Sequence, residues 1–149
     1  MKIVINNCYG GYGLSPLTIK RYAEIKGIEC YLFKHPLREY NTYVPVSVEE
    51  AAKELLVFAY TVPTPQDYKL NEKDEDGLYR GANERAESIN ITIEDRNDPI
   101  LIQVIEELGD KANSKFSKLK IVEIPDDVDW NIEEYDGNEW IAEKHRTWS

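Results

Sequence analysis

Lys2-Ile3-Val4-Ile5-Asn6-Asn7-Cys8-Tyr9-Gly10-Gly11-Tyr12-Gly13-Leu14-Ser15-Pro16 decides the fold class of this chain. Residues 2–6 are continuous and β-branched and end in asparagine, the pattern of a short buried strand. Residues 8–14, with glycine at 10, 11 and 13, read as a turn-rich loop. Ser15 then suits an N-cap and Pro16 the first helical position, where its missing N–H costs nothing. Leu17, Ile19, Tyr22, Ala23 and Ile25 supply a mainly apolar helical face, and Gly27 suits the left-handed C-terminal cap. Residues 28–33 alternate loosely as a second strand. The unit is strand, loop, helix, strand.

The same reading extends along the chain. Residues 34–46 are irregular, and Ser47-Val48-Glu49-Glu50 is a capping box that starts a helix expected to reach about Leu56. Pro63 and Pro65 end regular structure, and residues 66–88 are a long polar surface loop or flap, either functional or disordered. Ile89-Asn90-Ile91-Thr92-Ile93-Glu94 alternates strictly and reads as a half-buried strand. Asp98-Pro99 opens a helix with a stripe of Ile100, Leu101, Val104, Ile105 and Leu108, weakened or ended at Gly109. Residues 110–118 form a polar connection and residues 119–124 another strand. Asp136-Gly137 between residues 130–135 and 138–143 is a hairpin signal. The expected fold is a single α/β or α+β domain over residues 1–149, with a mixed sheet of about five strands, two or three helices and a C-terminal β-hairpin.

Composition limits the function classes. The chain has 149 residues, 18 Lys+Arg against 28 Asp+Glu, and a formal charge of −10, so its long-range field opposes nucleic acid and anionic membranes. A small anionic ligand stays open, because a local field can oppose the net charge. The start resembles no signal peptide and no apolar run spans a bilayer, so a soluble intracellular protein is expected. Cys8 and Cys30 form no C-x-x-C pair and read as reduced thiols, although Cys8, beside the Gly-rich turn, is also a candidate nucleophile. His35 and His145 are isolated, so no metal and no cofactor is expected.

The candidate ligand site is the loop Asn7, Cys8, Tyr9, Gly10, Gly11, Tyr12, Gly13 with Ser15. A strand feeding a Gly-rich loop and a helix N-terminus can present backbone amides to an anion. The spacing is neither a dinucleotide fingerprint nor a Walker loop. The glycines serve either a tight strand-to-helix turn or a ligand, and Tyr9 and Tyr12 favour a flat nucleobase. If the strands 2–6 and 89–94 are parallel neighbours, both following helices open at one sheet edge and build a crevice. Arg96 then either pairs with a phosphate or bridges to Asp95 or Asp98. Arg146 and Trp148 either dock as a tail on the core or reach that crevice, one neutralising charge and the other stacking. Asp126, Asp127 and Asp129 read as a solvated turn. No Ser-His-Asp order is legible, so binding is favoured over catalysis.

The segments MKIVINNCYGGYGLS (1–15), RNDPILIQVIEELG (96–109) and LKIVEIPDDVDWNIEEYDGNEWIAEKHRTWS (119–149) resemble a family of small bacteriophage and prophage proteins. That resemblance carries no catalytic residues. It implies an accessory protein of the host bacterial cytoplasm, of a kind that counters host defence. The first expectation is therefore a binding protein, monomeric or homo-oligomeric, that sequesters an anionic nucleotide-derived immune signal, a cyclic ADP-ribose type or cyclic dinucleotide, without cleaving it. The second is an enzyme on nucleosides or ADP-ribose derivatives with Asp95 or Asp98 as its acid. The third is an acidic inhibitor of a host defence protein, motivated by the charge and by the Glu72–Asp76 cluster.

Overall fold

The computed structural model describes residues 1–34, 43–54, 57–63, 89 and 91–144. They form a mixed α/β structure with three α-helices and seven strands in small sheets. The expected 66–88 loop, His35, His145, Arg146 and Trp148 lie outside the described residues. Two compact units emerge, Met1–Tyr22 with Ile91–Ser149 and Ala23–Asn90, so the division falls within the first helix.

In the first unit β1 (Lys2–Asn6) pairs antiparallel with β5 (Leu119–Glu123), Val4 lying opposite Ile121. Ile3 and Val4 are fully buried, as a continuous apolar strand requires. Helix α3 (Pro99–Leu108) packs on β1 with Leu101, Ile102, Val104 and Ile105 buried. Asp98 caps it: its Oδ1 accepts from Ile100 N at 2.9 Å, and Pro99 occupies the first turn. A 3₁₀ turn over Gly109–Ala112 continues from it. The hairpin of β6 (Trp130–Tyr135) and β7 (Asn138–Glu143) stands where the sequence places it. Asp136 and Gly137 have φ of 50° and 87°, the two positive values that a twisted two-residue turn needs.

In the second unit β2 (Tyr31–Lys34) lies between β3 (Val44–Pro45) and β4 (Phe58–Tyr60), both antiparallel to it. Phe33, Tyr43 and Tyr60 meet edge to face with centroids 5.4–5.9 Å apart. Helix α2 (Val48–Ala51) starts at Ser47, whose Oγ accepts from Glu50 N at 3.1 Å. It is shorter than expected, because Lys53 and Glu54 donate to residues three back, the tighter 3₁₀ pattern that closes a helix end. Leu55 and Leu56 lie outside the described residues.

Three expectations are corrected. Ile91 and Thr92 are not in a strand, and Ile93–Asp95 is a 3₁₀ turn. Thr92 Oγ1 accepts from Glu94 N while Asp95 Oδ2 accepts from Thr92 N at 2.8 Å, so a local capping box overrides the alternation. Ile93, a core position in the strand reading, is 61% exposed. Among the described residues β1 consequently has no parallel neighbour, and the strands form three small antiparallel sheets where one mixed sheet was expected. The shared crevice also goes. The N-terminus of α1 (Pro16–Lys26) lies against Lys111 and Ala112, past the far end of α3, whereas the α3 cap Asp98 meets Tyr22 Oη at 2.7 Å.

Candidate functional site

Asn6, fully buried at the end of β1, organises the Gly-rich loop. Its Nδ2 donates to Cys8 O at 2.8 Å and to Gly137 O at 2.7 Å, and its Oδ1 accepts from Lys118 N at 2.8 Å. Three segments are thereby tied to one carboxamide: the loop, the hairpin turn and the chain entering β5.

Gly10 and Gly13 have other parts of the protein packed against them, backbone at the first and a side chain at the second. A Cβ on Gly10 would sit 1.8 Å from Phe116 O, and one on Gly13 would sit 2.7 Å from Ser114 Oγ. Gly137 approaches the loop from the hairpin, its Cβ position 2.6 Å from Gly11 N. Ser117 Oγ donates to Gly13 O at 2.7 Å, and Asn7 N donates to Lys118 O at 2.7 Å. The turn of residues 114–118 therefore wraps one side of the loop, and the Asp136-Gly137 turn meets another.

The N-terminus of α1 is satisfied from within. Ser15 Oγ accepts from Thr18 N at 3.1 Å and donates to Lys111 O at 2.7 Å, and Ser15 N donates to Ala112 O. Thr18 Oγ1 donates to Ala112 O at 3.1 Å. At this helix N-terminus the amides of Ser15 and Thr18 are thus already engaged.

Arg96 is 5% exposed and pairs with neither of its expected carboxylates. Its Nη1 and Nη2 meet Glu139 Oε1 and Oε2 at 2.9 and 3.0 Å, a two-pronged ion pair. The same Nη1 donates to Val4 O at 3.1 Å, Val4 N donates to Arg96 O at 2.9 Å, and Asn6 N donates to Glu139 Oε1 at 2.7 Å. Alternate groups of β1 point away from β5, and these two residues take them up. The far edge of β1 is closed by one arginine and one glutamate in place of a strand. Asp95 and Asp98, the candidate acids, serve as caps.

Tyr12 lies on Arg96, with the guanidinium carbon 3.3 Å from the ring centroid. Its phenol is pushed up to about 12, chiefly by burial; Arg96 lowers it, and Glu139 and Asp95 raise it. Among the described residues Tyr12 Oη and Arg96 Nε find no hydrogen-bond partner. Removal of that hydroxyl leaves nothing unpaired, so Tyr12→Phe is expected to be neutral or slightly stabilising at pH 7. The raised phenol ties stability to alkali. Below pH 10 the contribution is whole, and it declines as pH rises toward 12, because the unfolded chain ionises first. Urea titrations at pH 8 and 11 should show Tyr12→Phe losing less stability over that interval than the parent, by about 1 kcal/mol. Equal losses would remove Tyr12 from the alkaline dependence.

Of the residues singled out from sequence, Asn7 and Tyr9 are exposed, and Cys8 is half-buried with its Sγ 3.3 Å from both Asn6 Oδ1 and Phe116 O. Tyr9 is 67% exposed and Phe116, on the turn clasping the loop, 61%. Lys115 and Lys118 flank Phe116 and are exposed. Sequence reasoning passed over Asn6, Glu139 and this turn. One signal was available: residues 111–120 hold lysine at 111, 115, 118 and 120 and no acid, in a chain with an acidic excess. Elsewhere in this unit an open cleft of about 450 Å³ lies beside Lys2, Pro99, Ile102 and Glu106, and it includes no loop residue. Among the described residues no group of three or more His, Cys, Asp or Glu is placed to hold a metal, and no helix is long and apolar enough to cross a membrane. No protein-family model matches the chain, and no curated protein or solved structure matches it.

Proposed function

We propose that the protein binds an anionic, nucleotide-derived small molecule at the rim of the Gly-rich loop and holds it unchanged. The observation that carries this reading is one juxtaposition. Tyr9 and Phe116, both largely exposed, project from two segments in backbone contact, and the turn bearing Phe116 also bears Lys115 and Lys118. Exposed aromatic faces stack on a base at the cost of little rearrangement, and neighbouring ammonium groups favour phosphate. The charge-neutralising role expected of Arg96 passes to these lysines, because Arg96 is spent on Glu139. That the ligand is a host immune signal, sequestered by a phage accessory protein in the bacterial cytoplasm, rests on the resemblance of residues 1–15, 96–109 and 119–149.

Native mass spectrometry against cyclic dinucleotides and ADP-ribose derivatives tests this. The expected result is a ligand bound at unchanged mass. Tyr9→Ala or Phe116→Ala should weaken binding about tenfold or more, the scale of one lost base stack. The double substitution Lys115→Glu and Lys118→Glu should abolish it. A ligand released with altered mass would make the protein an enzyme, and silence across the panel would overturn the nucleotide reading.

A further inference from the structure

The β6–β7 hairpin has two chemically different faces. Strand periodicity puts Glu139 on the inner one, where Arg96 neutralises it, and Glu133, Tyr135 and Trp140 on the other. Trp140 lies directly across from Glu133 and diagonally from Tyr135. The indole Nε1 donates to Glu133 Oε2 at 3.2 Å, so a carboxylate is held at the edge of an aromatic ring. Trp140 is 43% exposed and Tyr135 73%. Residues 126–143 hold eight acidic side chains and no lysine or arginine, and six remain once Glu139 is paired with Arg96 and Asp126 with the N-terminal ammonium.

We propose that this outer face docks an arginine-bearing segment of a partner protein. Charge complementarity selects that occupant. A guanidinium can lie flat on the indole and turn its N–H fork to the Glu133 carboxylate, satisfying both groups together. A lysine ammonium meets the charge but offers no plane to stack, so it fits less well. A second copy would bring the same acidic strands face to face and be repelled. The surface differs from the loop rim in ligand sign and in residues, and it stands independently of the nucleotide reading.

Fluorescence anisotropy with a labelled nonapeptide of three Arg-Gly-Ser repeats, near physiological salt, tests it. Saturable binding is expected, several-fold tighter than for the Lys-Gly-Ser counterpart. Trp140→Ala should weaken it about tenfold, the scale of one cation–π contact. Glu133→Gln, which keeps size and shape, should weaken it similarly, and Tyr9→Ala should leave it unchanged. Circular dichroism melting confirms that each variant folds; if Trp140→Ala does not, Glu133→Gln decides alone. Equal affinity for the two peptides, or parental affinity in Glu133→Gln, would reduce the effect to general electrostatics and overturn the proposal. So would absence of binding, or self-association that Trp140→Ala abolishes.

Discussion

Arg96→Met is expected to lower unfolding stability by about 3–5 kcal/mol, read as a shift in urea midpoint at unchanged slope. The substitution removes a cation 5% exposed and strands Glu139, itself 9% exposed, without its partner. It also frees Val4 O on the edge of β1. The stranded carboxylate is the larger effect, because an uncompensated buried charge costs more than its lost attraction returns. Adding Glu139→Gln should therefore recover about 2 kcal/mol, since the amide oxygen can still accept from Asn6 N while carrying no charge. A loss below about 1 kcal/mol in the single variant would place the pair in solvent, where such pairs are weak. It would return Arg96 to the list of ligand residues.

Gly10→Ala is expected to be comparably severe, about 3 kcal/mol or more. Its methyl would meet Phe116 O at 1.8 Å, and the obstacle is backbone, which cannot rotate aside as a side chain would. Relief requires the 114–118 turn to lift off the loop, breaking the Ser117-to-Gly13 and Asn7-to-Lys118 hydrogen bonds. Gly11→Ala is the internal control. Gly11 has φ of +92°, yet nothing lies within 4 Å of its Cβ position, so only the conformational penalty of about 1–2 kcal/mol applies. Thermal melts of the two variants separate the explanations. If the loop held glycine to admit a ligand, Gly10→Ala would melt like the parent and lose only binding. If it held glycine to admit Phe116, the fold itself would suffer.

The elements read from local signals stand where local physics decides. Residues 2–6 could only be a buried strand, Asp98-Pro99 caps α3 with its own side chain, and Asp136-Gly137 meets the dihedral demand of a tight hairpin turn. The reading failed at residues 89–94, where alternation and a Thr92–Asp95 capping box compete within one short segment. The box prevailed because its hydrogen bonds close over four residues, whereas a strand needs a distant partner that β5 replaced on one edge of β1 and Arg96 on the other. Arg96 shows the same limit at the candidate site. Asp95 and Asp98 are its neighbours in sequence, yet its partner stands 43 positions away.

By itself the sequence determined the local punctuation of the chain, its caps, its hairpin and its buried strand, and it placed glycine at the loop without the reason for it. Each depends on residues within a few positions of one another, so each is written where it acts. Tertiary structure alone decided what that glycine admits, which carboxylate receives Arg96 and which aromatics face outward. Those outcomes depend on which distant backbone arrives at the loop, and Asn6 joins Cys8, Gly137 and Lys118 only after the chain has folded. Burial then fixes the chemistry, keeping Arg96 inside with Glu139 while Tyr9, Phe116 and Trp140 meet solvent.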